Sequence, residues 1–270
     1  MSNSSNLADV QSSSDSRGID IQKVGIKDVE IPLIIQRKNE DNQCVYAKVR
    51  VSVSLPKNYK GTHMSRFMEV LNDWSQKEIL SEDIKGFLKE VNKKLNATSA
   101  EAKFNFKYFL KKTAPVSKIA SNQGYDCSFK GVLDKDDYKF YLGVKVPVTT
   151  LCPCSKEISK YSAHNQRALV SLTVSYPENE QVWLEDIIGL VEKSGSCEVY
   201  PLLKRRDEKY VTEKAYENPK FVEDVIRDIV IKLRDDKIIT DFEVEVESFE
   251  SIHNHSAWAY QKEFKNGVQK

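Results

Sequence analysis

The sequence predicts an α+β fold of two tandem ββααββ units, each an antiparallel sheet backed by a pair of helices. Three observations predict it. Apolar and polar residues alternate in several long stretches, which is the period of a half-buried strand. Four other segments repeat apolar residues at helical spacing. Strands flank the helices in the same order in both halves of the 270-residue chain. Hairpin-joined strands around a helix pair favour antiparallel layers over a doubly wound parallel sheet. The halves show no convincing residue-level identity, so the repeat is one of element order.

Residues 1–17 are rich in Ser, Asn and Asp and are expected as a disordered tail, because they cannot bury enough apolar surface to offset the entropy of ordering. The first unit is expected over 18–134. It opens with a strand near 18–38 and another over 45–55, where Val45, Ala47, Val49, Val51, Val53 and Leu55 share one face. Phe67, Val70, Leu71 and Trp74 then predict one amphipathic helix, and Ile84, Phe87, Leu88, Val91 and Leu95 a second after Ser81. Alternation returns at Ala102, Phe104, Phe106, Tyr108 and Leu110, followed by a strand near 124–134. The second unit is expected over 135–270. Its strands lie near 137–149 and through Val170, Leu172, Val174 and Tyr176, and a helix carries Leu184, Ile187, Ile188 and Val191. Asn218 and Pro219 suit the N-cap and first turn of the next helix, on Val222, Val225, Ile226, Ile229 and Leu233. Strands through Phe242, Val244 and Val246 and near 257–265 close the unit.

Charge is balanced, with 41 basic and 40 acidic side chains, which argues against a nucleic-acid clamp. No apolar run approaches the roughly 20 residues that span a bilayer, and the N-terminus shows neither a basic n-region nor an apolar h-region. A cytoplasmic protein without membrane or nucleic-acid partners is therefore expected. Its five cysteines, at spacings that give no disulfide framework, become candidate ligands or nucleophiles.

Three of the four histidines fall in two short segments. In the first, Cys152-Pro153-Cys154 follows a strand and His164 comes ten residues after Cys154, so a short helical turn can return the imidazole to the thiols. A thiolate with an imidazole suits zinc or a neighbouring first-row metal, while inert packed thiols are the competing reading. In the second, Glu250-Ser251-Ile252-His253-Asn254-His255 ends the penultimate strand. His253 and His255 then share a face and can serve one ligand or one proton, unless they are ordinary surface histidines. The run Lys204-Arg205-Arg206-Asp207-Glu208-Lys209 reads first as a solvated face. Glu223 borders the apolar stripe beside Ile226 and Val230. It reads as a partly buried carboxylate wanting donors such as a guanine edge, or as helix-start electrostatics. His63 precedes the first helix and reads as a capping or packing residue, and Lys111, Lys112 and Lys118 form a basic loop. There is no Walker loop and no Gly-x-Gly-x-x-Gly.

Four of these stretches resemble the type IB GTP cyclohydrolases: Gly61–Phe67, Leu151–Ser159 with Ala163–Arg167, Asp207–Pro219, and Glu250–His255. The resemblance runs in order from about residue 18 to 265. It implies the tunnelling fold, a homotetramer with active sites at subunit interfaces, and GTP as substrate, converted with water to formate and 7,8-dihydroneopterin triphosphate at the head of folate-type pterin synthesis. By position it implies Cys152 as a metal thiolate and catalytic residue, His164 as the imidazole ligand, and Glu208 and Glu250 as the carboxylates nearest a zinc, manganese or iron ion. Cys154 becomes a supporting thiol, Glu223 the partner of the guanine edge, and His253 and His255 the proton-transfer pair. Lys204, Arg205 and Arg167 are the basic candidates for the triphosphate. In one departure, Arg206 stands where the family usually has proline, which is expected to loosen the turn carrying Glu208.

Two rival readings differ in class. A tunnelling-fold NADPH-dependent nitrile reductase of queuosine synthesis would carry a Glu-(Ser or Leu)-Lys signature, which is absent here. A non-catalytic purine-binding module would use the Cys/His site as a structural clip needed for folding.

Overall fold

The computed structural model describes residues 9–75, 77–79 and 81–265. In chain order the elements are β1 (Ile21–Ile35), β2 (Gln43–Leu55), α1 (Met64–Trp74), β3 (Glu78–Ile79), α2 (Ser81–Leu95), β4 (Ser99–Thr113), β5 (Ala120–Asp134) and β6 (Asp137–Leu151). They continue as α3 (Pro153–Ile158), β7 (Asn165–Ser175), α4 (Leu184–Glu192), β8 (Cys197–Glu198), α5 (Arg205–Glu217), α6 (Val222–Asp235), β9 (Asp241–Ser248) and β10 (Ala257–Phe264). The result is a mixed α and β protein dominated by antiparallel pairing.

The chain forms two compact units. One holds the described residues up to Gln36 with Cys44–Phe104 and Lys130–Lys139, and the other holds Arg37–Gln43, Asn105–Phe129 and Phe140 onward. In the first unit β1 lies beside β2, and β3 adds in parallel with Ile34 opposite Glu78. Its core holds the inward face of β2 and the stripes of α1 and α2, which pack on each other, and Phe67, Val70, Leu71, Ile84, Phe87, Leu88 and Val91 are all buried. Phe87 packs edge-on between Trp74 and Phe104, with centroids 5.7 Å from each. Gly25 permits the close approach of β1 and β2, since a Cβ there would lie 2.0 Å from the Val51 carbonyl oxygen.

In the second unit β7 runs antiparallel between β6 and β9, and β10 pairs with β9. α6 buries Val222, Val225, Ile226, Ile229, Val230 and Leu233, the stripe that its sequence spacing predicts. Phe106, Phe129, Phe140 and Tyr176 form a continuous aromatic row with successive centroids 5.0, 5.5 and 5.6 Å apart. Among the described residues no helix is long and apolar enough to cross a membrane.

Two expectations need correction. Asn218 and Pro219 do not open α6. Asn218 closes α5, and its side-chain amide donates to the carbonyls of Gly195 and Ser196, both at 3.1 Å, so α6 starts at Val222. Of the expected tail, residues 1–8 lie outside the described residues, but residues 11–15 are held by backbone pairing with residues 58–61. Lys60 N–H donates to Ser13 O at 3.0 Å, Gly61 N–H to Gln11 O at 3.1 Å, and Ser14 bridges Tyr59. Polar composition missed this because the order comes from main-chain bonds, not from apolar burial.

Phe87→Ala should lower unfolding free energy by about 3–5 kcal/mol, because it empties an aromatic site with two edge-on partners. Urea denaturation with an unchanged slope would measure it, and a loss below about 1 kcal/mol would mean the cluster is not a packed core.

Candidate active site

Antiparallel pairing places the chemically promising segments together. β6 ends at Leu151, directly opposite Asn165 at the start of β7, and Ser248 at the end of β9 is opposite Ala168. Cys152, His164 and Glu250 are each within two residues of one of these strand ends. The Cys152 N–H donates to the His164 carbonyl at 3.1 Å, closing the neck of the intervening loop. Pro153 at the first helical position and Cys152 as N-cap start α3, and the Cys152 Sγ accepts from the Ser155 N–H at 3.4 Å. The Ser155 hydroxyl in turn accepts from the His164 N–H at 3.2 Å. α3 is therefore the short turn that returns His164 toward Cys152, which is half-buried, while Cys154 is exposed.

Gln166 organises the carboxylate and the imidazole. Its Nε2 donates to Glu250 Oε1 at 3.4 Å and to Thr150 Oγ1 at 3.3 Å, so its Oε1 is the acceptor. His164 Nδ1 lies 2.9 Å from that oxygen, so in the neutral ring Nδ1 is the donor and Nε2 keeps its lone pair. A histidine bonded through one ring nitrogen and open at the other has the arrangement of a metal ligand. Ser248 Oγ donates to Glu250 Oε1 at 3.2 Å, and Glu250 Oε2 is 4.0 Å from His164 Nδ1. Sequence reasoning passed over Gln166. It sits inside the quoted motif, but a neutral amide carries no signal of ligation.

The remaining candidates are less tightly gathered. Glu208, Lys204, Arg205 and Arg206 are exposed on the head of α5, and Arg167 is exposed on β7. The absence of proline at Arg206 does not free this turn, because the neighbouring Asp207 is fully buried and accepts the Lys204 N–H at 2.9 Å. Burial alone would raise the Asp207 carboxyl, but donors from Ser117, Lys204 and Val116 hold it well below the usual carboxylate range. Glu223 is exposed, not partly buried as expected. It lines a groove of about 420 Å³ with Ile226, Val230 and Tyr260, so the apolar neighbours are right and the desolvation is not. The exposed rings of His253 and His255 stack at 5.2 Å and 17°, but they do so in a bend between β9, which ends at Ser248, and β10, not on the extended strand end that the sequence predicts. His63 occupies the N-cap position of α1 without a capping bond from its side chain.

Among the described residues no three of His, Cys, Asp and Glu converge closely enough to hold an ion. The donor set nevertheless fits one chemically. It comprises one thiol, one imidazole held through Nδ1 and one carboxylate already fixed by hydrogen bonds, a mixture of soft and hard ligands that zinc, manganese and iron accept.

Beneath α5, Leu151, Cys197 and Ala215 form a small core joined by Ala163 and Val211. Beside it Lys214 Nζ donates to Glu198 at 2.5 Å. Burial would raise Glu198, but the Lys214 ammonium holds it below the ordinary glutamate value.

A family model described as "Type I GTP cyclohydrolase folE2" matches residues 7–259. A protein named GTP cyclohydrolase FolE2 from Thermosipho africanus is 53% identical over 253 residues, covering 94% of this chain and 96% of the relative. Proteins of the same name from Citrifermentans bemidjiense and Geobacter sulfurreducens are each 49% identical over 253 residues, covering 94% of this chain and 93% and 96% of theirs. Among solved structures, the uricase of Arthrobacter globiformis aligns with a TM-score of 0.52 at 9% identity, over 92% of this chain and 95% of that one. A uricase from Bacillus fastidious aligns at 0.55 and 8%, over 91% and 93%. These two likenesses concern the fold alone.

The depressed Glu198 carboxyl contributes stability that is complete above its unfolded value and is lost as pH falls through its folded value. Wild-type protein should therefore lose more stability than Glu198→Gln between roughly pH 6 and pH 3. Urea midpoints across that range would show it, and parallel curves for the two proteins would contradict it.

Proposed function

The chain belongs to the type I GTP cyclohydrolase FolE2 family, and on that footing we propose that its catalytic centre is the strand-end site of Cys152, His164 and Glu250. As a GTP cyclohydrolase it converts GTP and water to formate and 7,8-dihydroneopterin triphosphate, in folate-type pterin synthesis. The observation that carries the site assignment is the contact of His164 Nδ1 with Gln166 Oε1 at 2.9 Å, with the Gln166 amide in turn held on Glu250 at 3.4 Å. The finer subclass, type IB, rests on the motifs quoted above.

In this reading Cys152, His164, Glu250 and Glu208 hold a divalent zinc, manganese or iron ion, with Cys154 a supporting thiol. When bound, the ion supplies the Lewis acidity that makes water nucleophilic at neutral pH. The other steps belong to side chains. Glu223 accepts hydrogen bonds from the guanine edge and orients the purine. His253 and His255, adjacent and exposed to an incoming ligand, pass protons to the ring nitrogens as C8 departs as formate. Lys204, Arg205 and Arg167 meet the triphosphate.

We assign the two halves, 18–134 and 135–270, to tandem units of the tunnelling fold, with β3, α3, β8 and α5 as additions to the ββααββ order. The uricase likeness and the element order support this. We further propose a homotetramer. In support, the described part of β10 pairs with β9 alone and exposes Trp258, Tyr260 and Phe264. The reducing cytoplasm is the compartment in which its unpaired cysteines persist.

Metal-stripped protein given GTP should form neopterin, seen by fluorescence after oxidation, and release formate only when manganese or zinc is restored. Cys152→Ala and His253→Ala should abolish both while staying folded, and Gln166→Leu should lose about 10–100-fold in activity through the misdirected imidazole. Full activity in Cys152→Ala would refute the site, and absence of neopterin with any metal would refute the reaction.

A further inference from the structure

Asp207 is the one buried carboxylate in the charged run. Lys204, Arg205, Arg206, Glu208 and Lys209 around it are all exposed. Capping α5 occupies only its Oδ2, which accepts the Lys204 N–H at 2.9 Å. Its Oδ1 accepts the N–H groups of Val116 and Ser117, both at 2.8 Å, from the turn between β4 and β5 some 91 and 90 residues earlier. That turn is itself closed by the Ala114 N–H on the Ile119 carbonyl at 2.9 Å, with Lys118 in left-handed backbone at φ 61°. A helix cap needs no second segment, and a buried carboxylate is costly unless its lone pairs are filled. Asp207 thus ties the first turn of α5 to a turn between two strands, and the next residue along is Glu208.

Resting on the ligand set proposed above, we propose that Asp207 is a positioning residue whose clamp on Val116 and Ser117 holds the head of α5, so that Glu208 is presented to the metal as a carboxylate ligand. The clamp also fixes Lys204 and Arg205, the candidates for the triphosphate. Asn at this position keeps the size but turns one acceptor into an NH₂ group facing an N–H, so either the cap or the turn is released.

The test is manganese(II) binding to the metal-stripped full chain by electron paramagnetic resonance, with GTP kinetics and thermal melting alongside. It compares wild type with Asp207→Asn, Glu208→Gln and Asp236→Asn. Asp236 is a fitting control because its carboxylate also accepts two backbone N–H groups, from Ile238 at 2.8 Å and Ile239 at 3.1 Å, at the opposite end of α6 from Glu223. Asp207→Asn should remain folded, bind manganese about 10–100-fold more weakly and lose kcat, as Glu208→Gln does. Asp236→Asn should melt lower with manganese binding unchanged. If Asp207→Asn fails to fold, Asp207→Glu, which keeps the charge but displaces it, should show the same weakened binding. Wild-type manganese affinity in a folded Asp207 variant, beside weak binding in Glu208→Gln, would overturn the proposal alone. Wild-type affinity in Glu208→Gln would overturn the ligand reading of Glu208 and this proposal with it.

Discussion

The placement of β7 between β6 and β9 is the constraint on which the rest of the site depends. Because all three strands are antiparallel neighbours, the end of β6, the start of β7 and the end of β9 coincide, with Leu151 opposite Asn165 and Ala168 opposite Ser248. A slip of one residue in either register would turn the buried faces outward, so the apolar core enforces the alignment. Val146, Val148, Ala168, Val170, Val244 and Val246, all buried, supply that enforcement. At the chemical end of the same strands the packing becomes polar. Thr150 and Ser248 are buried with their hydroxyls 3.2 Å apart, and Gln166 extends the chain of hydrogen bonds to Glu250 and His164. Each buried polar atom in that chain fixes its neighbour, because leaving one unpaired is costly.

Much of the fold was legible because burial follows period. The alternation over 45–55 and the helical stripes of α1, α2 and α6 reappear as buried faces. What escaped has a common physical cause. α5 was read as a charge run because its 13 residues bury only Asp207 and Ala215, so no apolar stripe marks it. Its helix is fixed by the Asp207 cap and by Asn218 at its end, bonds that periodicity does not record. β3 and β8, two residues each, are too short to show a period at all. The pairing of residues 11–15 likewise depends on partners near residue 60 that no local composition reveals.

The site was legible as residue types and not as connections. Cys152, His164 and the His253/His255 pair stood out because thiols and imidazoles are scarce in this chain. Gln166 and Asp207 did not stand out, because an amide and one acid in a run of charges look ordinary until their partners are known. Glu223 shows the reverse error, since its apolar neighbours suggested burial, yet the side chain sits at the exposed rim of their groove.

The most direct test of the account is X-ray absorption at the zinc edge of the zinc-loaded chain. With Cys152 as the only protein thiolate ligand, and His164 and carboxylates completing the set, the spectrum should show one sulfur at about 2.3 Å and its other neighbours as nitrogen and oxygen at about 2.0–2.2 Å. A shell without sulfur would remove Cys152 from the site. Two or more sulfurs would bring in Cys154 and mark a structural clip where the account requires a catalytic centre.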